Sequence, residues 1–272
     1  MRITSVGHAV FAATMIALGI LSLAAGHFAP IWDGVPKDLG SREALVYLCG
    51  AVSLVCGLGL LWPSATTAAA RLLFAYLLLW MLRFKLPYII RSPTVEVYYQ
   101  SWGETAVLAA GAWVLYAWLA GPWDRRQLGF ITGEKGVHLA RVLYALALIA
   151  FGLSHFAYLN LTAPLVPTWL PLHVGWAYIT GCTYLAAAAA VLTGLYARLA
   201  VTLSVLQMAL FTLLVWVPLL AQGVATAGQR GEFAVSWALT AAAWVIADSY
   251  RGMPWLAVRS RTRPAPAAHR PG

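Results

Sequence analysis

The chain has 272 residues, of which 61% are hydrophobic and only 10% charged, with a mean hydropathy of +0.76. A soluble globular chain carries about 25% charged residues, so this composition excludes a soluble domain and makes a lipid bilayer the expected partner. The net charge of +9 would point to nucleic acid in a soluble protein, but in a membrane protein it sets topology, and no nucleic-acid partner is expected.

A helix needs about 20 mainly apolar residues to cross about 30 Å of hydrocarbon. In chain order such runs cover Val6–Ala25, Leu45–Trp62, Leu72–Ile90, Ala106–Ala120, Val142–Leu161, Leu172–Leu192, Leu199–Leu220 and Phe233–Ala247. They are continuous rather than alternating, which predicts helices and not a barrel. The expected fold is all-α: a polytopic membrane protein with eight transmembrane helices. The first run could be mistaken for a cleaved signal peptide, but an internal copy of it, described below, argues for its retention. A cytoplasmic N-terminus puts twelve of the 18 Lys and Arg residues inside and six outside. That placement predicts a multi-pass protein of a bacterial inner membrane with both termini cytoplasmic.

The first and fifth runs close on the same triplet, His27-Phe28-Ala29 and His155-Phe156-Ala157, at an offset of 128. At 131, Val35-Pro36 falls on Val166-Pro167, Tyr47 on Tyr178, Gly50 on Gly181 and Trp113-Val114 on Trp244-Val245; at 127, Arg71-Leu72 falls on Arg198-Leu199. Matches in one order along the chain indicate a duplicated four-helix unit, with pseudo-two-fold symmetry about the membrane normal. The units are 1–120 and 138–250, joined by a cytoplasmic linker at 121–137 and followed by a basic disordered tail at 251–272.

Candidate ligand-binding residues cluster at the outer ends of the runs. His27 and His155 end matched helices, with His173 starting the sixth run on the same side. An imidazole there can meet a quinone carbonyl or relay a proton, or simply bond a carbonyl freed at its helix end. Tyr76, Trp80, Arg83 and Pro87 share a helical face and Lys85 lies about 200° from Arg83; both cations are near enough to the outer edge to snorkel, which is the alternative to a site role for Arg83. Glu104 is the nearest topological counter-ion for Arg83, with Glu232 as its counterpart in the second half. At an offset of 127, Gln207 takes the slot of Trp80 and Leu210 that of Arg83. Trp32, Trp62, Tyr99, Trp102, Trp123, Trp169, Tyr196, Tyr250 and Trp255 read as interfacial belts, and Asp248 with Arg251 as an interfacial ion pair. Cys49, Cys56 and Cys182 read as packing residues without a CxxC pair. No metal site is expected, and no nucleotide, haem or hydrolase motif is present.

Four short helices, a His-Phe pair ending the first, a Val-Pro in the next loop and a Gly- and Ala-rich second helix resemble the DoxX-like superfamily of bacterial membrane proteins. The resemblance covers nearly the whole chain as two tandem units. It implies a link to redox or sulfur metabolism, since the superfamily includes the small subunits of thiosulfate:quinone oxidoreductase. It therefore implies an accessory subunit with a membrane redox partner and a quinone as ligand, for which the residues themselves offer an outward-facing cleft near His27, Arg83, Glu104, His155 and His173. The residues alone equally allow a non-enzymatic transporter or binder of a small hydrophobic solute, or a structural membrane subunit. No catalytic residue follows from either route, and whether the chain is an enzyme stays open.

Overall fold

The computed structural model describes residues 4–223 and 225–257. Among them are eight helices of 20 residues or more and no strand. They are α1 (Val6–Ala25), α2 (Arg42–Leu61), α3 (Thr66–Arg91), α4 (Glu96–Leu119), α5 (Gly133–Ala157), α6 (His173–Thr193), α7 (Ala197–Ala221) and α8 (Ala227–Asp248). Six of them, α1, α2, α3, α5, α6 and α7, are long and apolar enough to cross a membrane, which fits an integral membrane protein.

The expected count of eight spans is not reached, and the reason is where α4 and α8 sit. Consecutive helices pack side by side, α8 returns to α1, and α4 and α8 also pack on each other. Both are therefore walled in by other helices. Their opening turns carry Glu96, Gln100, Ser101 and Glu104 in α4, and Gln229, Arg230, Glu232 and Ser236 in α8, which lowers their hydropathy. Their second halves are packed with Ala, and α4 is buried almost without interruption from Thr105 to Ala117. A helix surrounded by protein needs no lipid-matching surface.

Close approaches use glycine where a side chain would collide. A Cβ at Gly19 would lie 2.5 Å from the Leu54 nitrogen, and one at Gly57 would lie 2.8 Å from the Ile16 nitrogen, so α1 and α2 touch backbone to backbone. Gly50 faces Leu23 of α1, and its matched residue Gly181 faces His155 and Phe156 of α5. Gly111 of α4 meets Ala242 of α8, where an added Cβ would lie 3.1 Å from the alanine Cβ. Small residues are what let helices approach this closely in a membrane.

Several boundaries move. Helix α4 begins at Glu96, ten residues before the apolar run, and α5 begins at Gly133 and ends at Ala157. The segment 121–137 is thus not a plain linker, because it holds the short helix Pro122–Gln127 and the start of α5. The first residues read as tail are also packed. The Arg198 guanidinium lies 4.0 Å from the Trp255 ring centre, and the Tyr196 N–H donates to the Ala257 carbonyl at 2.9 Å. The tail from residue 258 onward lies outside the described residues.

Both α3 and α7 widen into a π turn, at Met81–Lys85 and Thr212–Trp216, just before Pro87 and Pro218. A proline ring clashes with the carbonyl four residues back and donates no hydrogen bond, so the helix relaxes by one wide turn. The bonds that close these turns run from the Leu86 N–H to the Met81 carbonyl and from the Val217 N–H to the Thr212 carbonyl. Aligning the two π turns sets an offset of 131 for α3 on α7 and replaces the 127 read from sequence. Gln207 then matches Tyr76 rather than Trp80, Leu214 rather than Leu210 matches Arg83, and Trp216 matches Lys85.

Candidate functional site: a buried lysine held by a folded-in loop

The site is built by the loop between α1 and α2. Gly26, at φ +66°, ends α1 in the left-handed region, and Ser22 Oγ donates to the His27 carbonyl at 2.8 Å to turn the chain back. The loop then drops between the helices as a single 3-10 turn, Pro30–Trp32. Trp32, read from sequence as a belt residue, is 0% exposed. Its indole N–H donates to Ser53 Oγ at 3.0 Å, and its ring meets Tyr76 and Trp80 edge-on, with centroids 5.3 and 5.2 Å away. Tyr250, also read as a belt residue, is buried at 3% exposure, while Trp62, Trp123, Trp169 and Trp255 are exposed as expected.

Asp33 follows immediately and pairs with Lys85, whose side chain is 2% exposed. Lys85 Nζ also donates to Ser101 Oγ at 2.7 Å, and that hydroxyl donates to the second Asp33 oxygen at 3.0 Å. Three groups from the loop, α3 and α4 thereby close a ring of charge-assisted bonds. The Trp80 indole N–H donates to the Asp33 carbonyl at 3.2 Å, Tyr88 OH donates to the Gly34 carbonyl at 3.3 Å, and Arg42 donates to the Val35 carbonyl at 2.8 Å. Gly34 has φ +86°, and a Cβ there would lie 2.9 Å from the Phe84 carbonyl oxygen, so the loop can pass α3 this closely only with glycine.

The π turn decides which cation is buried. On a regular helix Arg83 shares the face of Tyr76 and Trp80. Across the wide turn, the residue five places after Trp80 returns to that face, and that residue is Lys85. Arg83 is exposed, with its guanidinium 5.1 Å from the neighbouring Phe84 ring centre. The expected Arg83–Glu104 pair is therefore absent among the described residues. Glu104 lies within the charge field of Lys85, Asp33 and Glu232, and its carboxylate accepts a long hydrogen bond from Gln100 at 3.5 Å.

The other expected residues do not converge on one cleft. His27 is exposed and lies 3.4 Å from the Phe28 carbonyl. His155 is half-buried, with Nδ1 2.8 Å from the Phe151 carbonyl of its own helix and its ring beside Tyr184 at 5.6 Å. His173 starts α6 on the rim of an open depression of about 630 Å³ shared with Thr168, Leu170 and Pro171. Tyr76 OH lies 3.5 Å from Cys49 Sγ, and Gln207 bonds to Thr183 and to the Thr180 carbonyl. Among the described residues, no group of three or more His, Cys, Asp or Glu side chains could hold a metal ion.

Reading the sequence missed Asp33 and Ser101 and misplaced Lys85 and Trp32. A signal was present: Ala29-Pro30-Ile31-Trp32 is an apolar stretch between two spans, and such a stretch outside the hydrocarbon is favourable only if it is covered. His8 was also passed over. It is fully buried and bridges α1 to the end of α2 through the Leu60 carbonyl at 2.9 Å, with its other nitrogen at Thr4, so both ring nitrogens are engaged in structure.

On the face where α1 begins and α8 ends, two acidic residues hold the bundle together. Asp124 accepts from Arg71 and from Tyr116 OH, each at 2.9 Å. Asp248 accepts from the Gly7 N–H at 3.1 Å and pairs with Arg251 at 2.7 Å, so the expected ion pair also caps α1.

No family model matches the chain, and neither the curated proteins nor the solved structures contain a match to it.

Proposed function

We propose that the chain is an integral membrane protein that binds a small lipophilic solute at the Lys85 site, with the loop between α1 and α2 as its cover. The observation that carries this reading is the ammonium of Lys85, 2% exposed within a helix apolar enough to span a membrane. A charge in that position is costly and marks a binding or transport site by default. Two further features support it. The π turn that delivers Lys85 is a type of irregularity found often at functional sites, and the cover reaches the site from outside the helices rather than from within the core.

The proposal includes the arrangement of the whole chain. In this reading the six apolar helices cross a bacterial inner membrane, α4 and α8 cross with them inside their ring although neither is apolar enough to span alone, and both termini are cytoplasmic, as two tandem DoxX-like units. The matched π turns support the duplication, and so does the Gly111–Ala242 contact: the two are 131 residues apart, and residues related by a two-fold meet only near its axis. The chain acts as a binder or carrier. A quinone is one solute of the required kind, since its carbonyls can accept from Lys85 and Ser101, and a membrane redox protein would then be its partner.

The test is mass spectrometry of organic extracts from the wild-type chain and from Lys85→Met, both purified gently from native membranes. One small molecule should accompany the wild type and be reduced at least tenfold in the variant, with helix content unchanged. Identical extracts from the two proteins would overturn the reading.

A further inference from the structure

The occupant of the Lys85 site is a piece of the chain itself, and its chemistry defines what could replace it. Trp32 supplies a flat aromatic body, seated edge-on against Tyr76 and Trp80 with its N–H on Ser53. Asp33, the next residue, supplies a carboxylate to Lys85 and Ser101. We infer that this site is a recognition site for lipophilic monocarboxylates, an aromatic or short apolar body bearing one carboxylate, which compete with the Trp32-Asp33 segment. The inference rests on the proposed solute-binding role and names the class of solute.

Charge conservation carries the argument. Lys85 is buried, and removing its counter-ion without replacement leaves an uncompensated charge in a low-dielectric site. A neutral molecule that lifts the loop away leaves that charge to Glu104, the other acidic residue within its field. A cation adds to it. A carboxylate replaces the Asp33 carboxylate one for one, so the site keeps its charge and its pair of donors, Lys85 Nζ and Ser101 Oγ. The segment is a loop whose Asp33 side chain is 49% exposed, but Trp32 is fully buried, so a competitor must fill the Trp32 slot with its own apolar body as well as pair with Lys85. The second half lacks these partners: Trp216 stands at the Lys85 position and donates to Ser236, so the inference applies to the first half alone.

The experiment measures binding and thermal unfolding of the full-length chain in detergent, with indole-3-propionate as probe and its amide as the neutral control. The wild type should bind the acid saturably, at least tenfold more tightly than the amide, and Lys85→Met should bind neither. In a Trp32→Ala/Asp33→Ala variant the acid should bind at least tenfold more tightly than to wild type and recover half or more of the lost Tm. If that variant does not fold, Asp33→Ala alone should recover Tm with acetate but not with acetamide. No saturable binding of the acid by the wild type, or equal binding of acid and amide, would overturn the inference. A neutral solute in native extracts that Lys85→Met loses would overturn the carboxylate class and leave solute binding standing. Identical extracts with no probe binding would overturn both.

Discussion

At the scale of single residues, burial and charge make opposite demands, seen at Trp32 and at Asp124. Trp32 fills a fully buried slot, so Trp32→Ala removes a large packed ring. It should cost about 3–5 kcal/mol, seen as a large drop in Tm in detergent; a change within about 1 kcal/mol would mean that the loop is not packed as described. Asp124, outside the long helices, illustrates the sign of a pH effect. Burial pushes its carboxyl up, but the hydrogen bonds from Tyr116, Arg71 and the Gly121 N–H outweigh this and hold it below the ordinary carboxylate range. A group depressed in the folded state stabilises above its unfolded value of about 3.9 and loses that contribution as pH falls through its folded value. The Tm difference between the wild type and Asp124→Asn should therefore be full at pH 7 and shrink below about pH 4. A difference that stays constant with pH would show that the carboxylate charge is not what Arg71 and Tyr116 hold.

At the scale of elements, the contact between α1 and α2 and the irregularity of α3 decide the most. Gly19 and Gly57 let two helices touch where any Cβ would fall inside its neighbour. Gly19→Ala should force the pair apart and destabilise by about 1–3 kcal/mol, whereas Gly40→Ala, with nothing within 4 Å, should be close to neutral. Equal Tm values for the two variants would count against the close approach. The proposed repeat rests in sequence on the His-Phe, Val-Pro and Gly50/Gly181 matches, which are identities. The register of α3 on α7 was not legible there, because the identities of Arg71-Leu72 with Arg198-Leu199 favour an offset of 127, whereas the paired π turns 131 apart, each one extra residue in its helix, follow no sequence pattern. The same extra residue moved Lys85 inward and Arg83 outward.

At the scale of the whole molecule, the bundle has two end faces. One carries the start of α1, the end of α8, Asp124 and the Arg-aromatic pairs of Arg71 with Trp123 and Arg198 with Trp255. The other carries the loop that covers Lys85. In a cysteine-free background, Gly40→Cys and Arg126→Cys should react with a membrane-impermeant maleimide from opposite sides of the membrane, with Arg126→Cys protected in intact cells. Labelling of both from one side would rule out the proposed topology.

Helix class and approximate spans follow from the sequence alone, because the length and continuity of an apolar run are local properties that bilayer thickness tests directly. Exposed tryptophans near the span ends and the Asp248–Arg251 pair were legible for the same reason. Which helices stand at the centre, which cation is buried and what covers it were decided only by the tertiary structure. The low hydropathy of α4 and α8 reflects neighbours far away in the chain. The burial of Lys85 depends on a π turn, on Asp33 fifty-two residues earlier and on Ser101 in the next helix, a coincidence in space that no local pattern encodes.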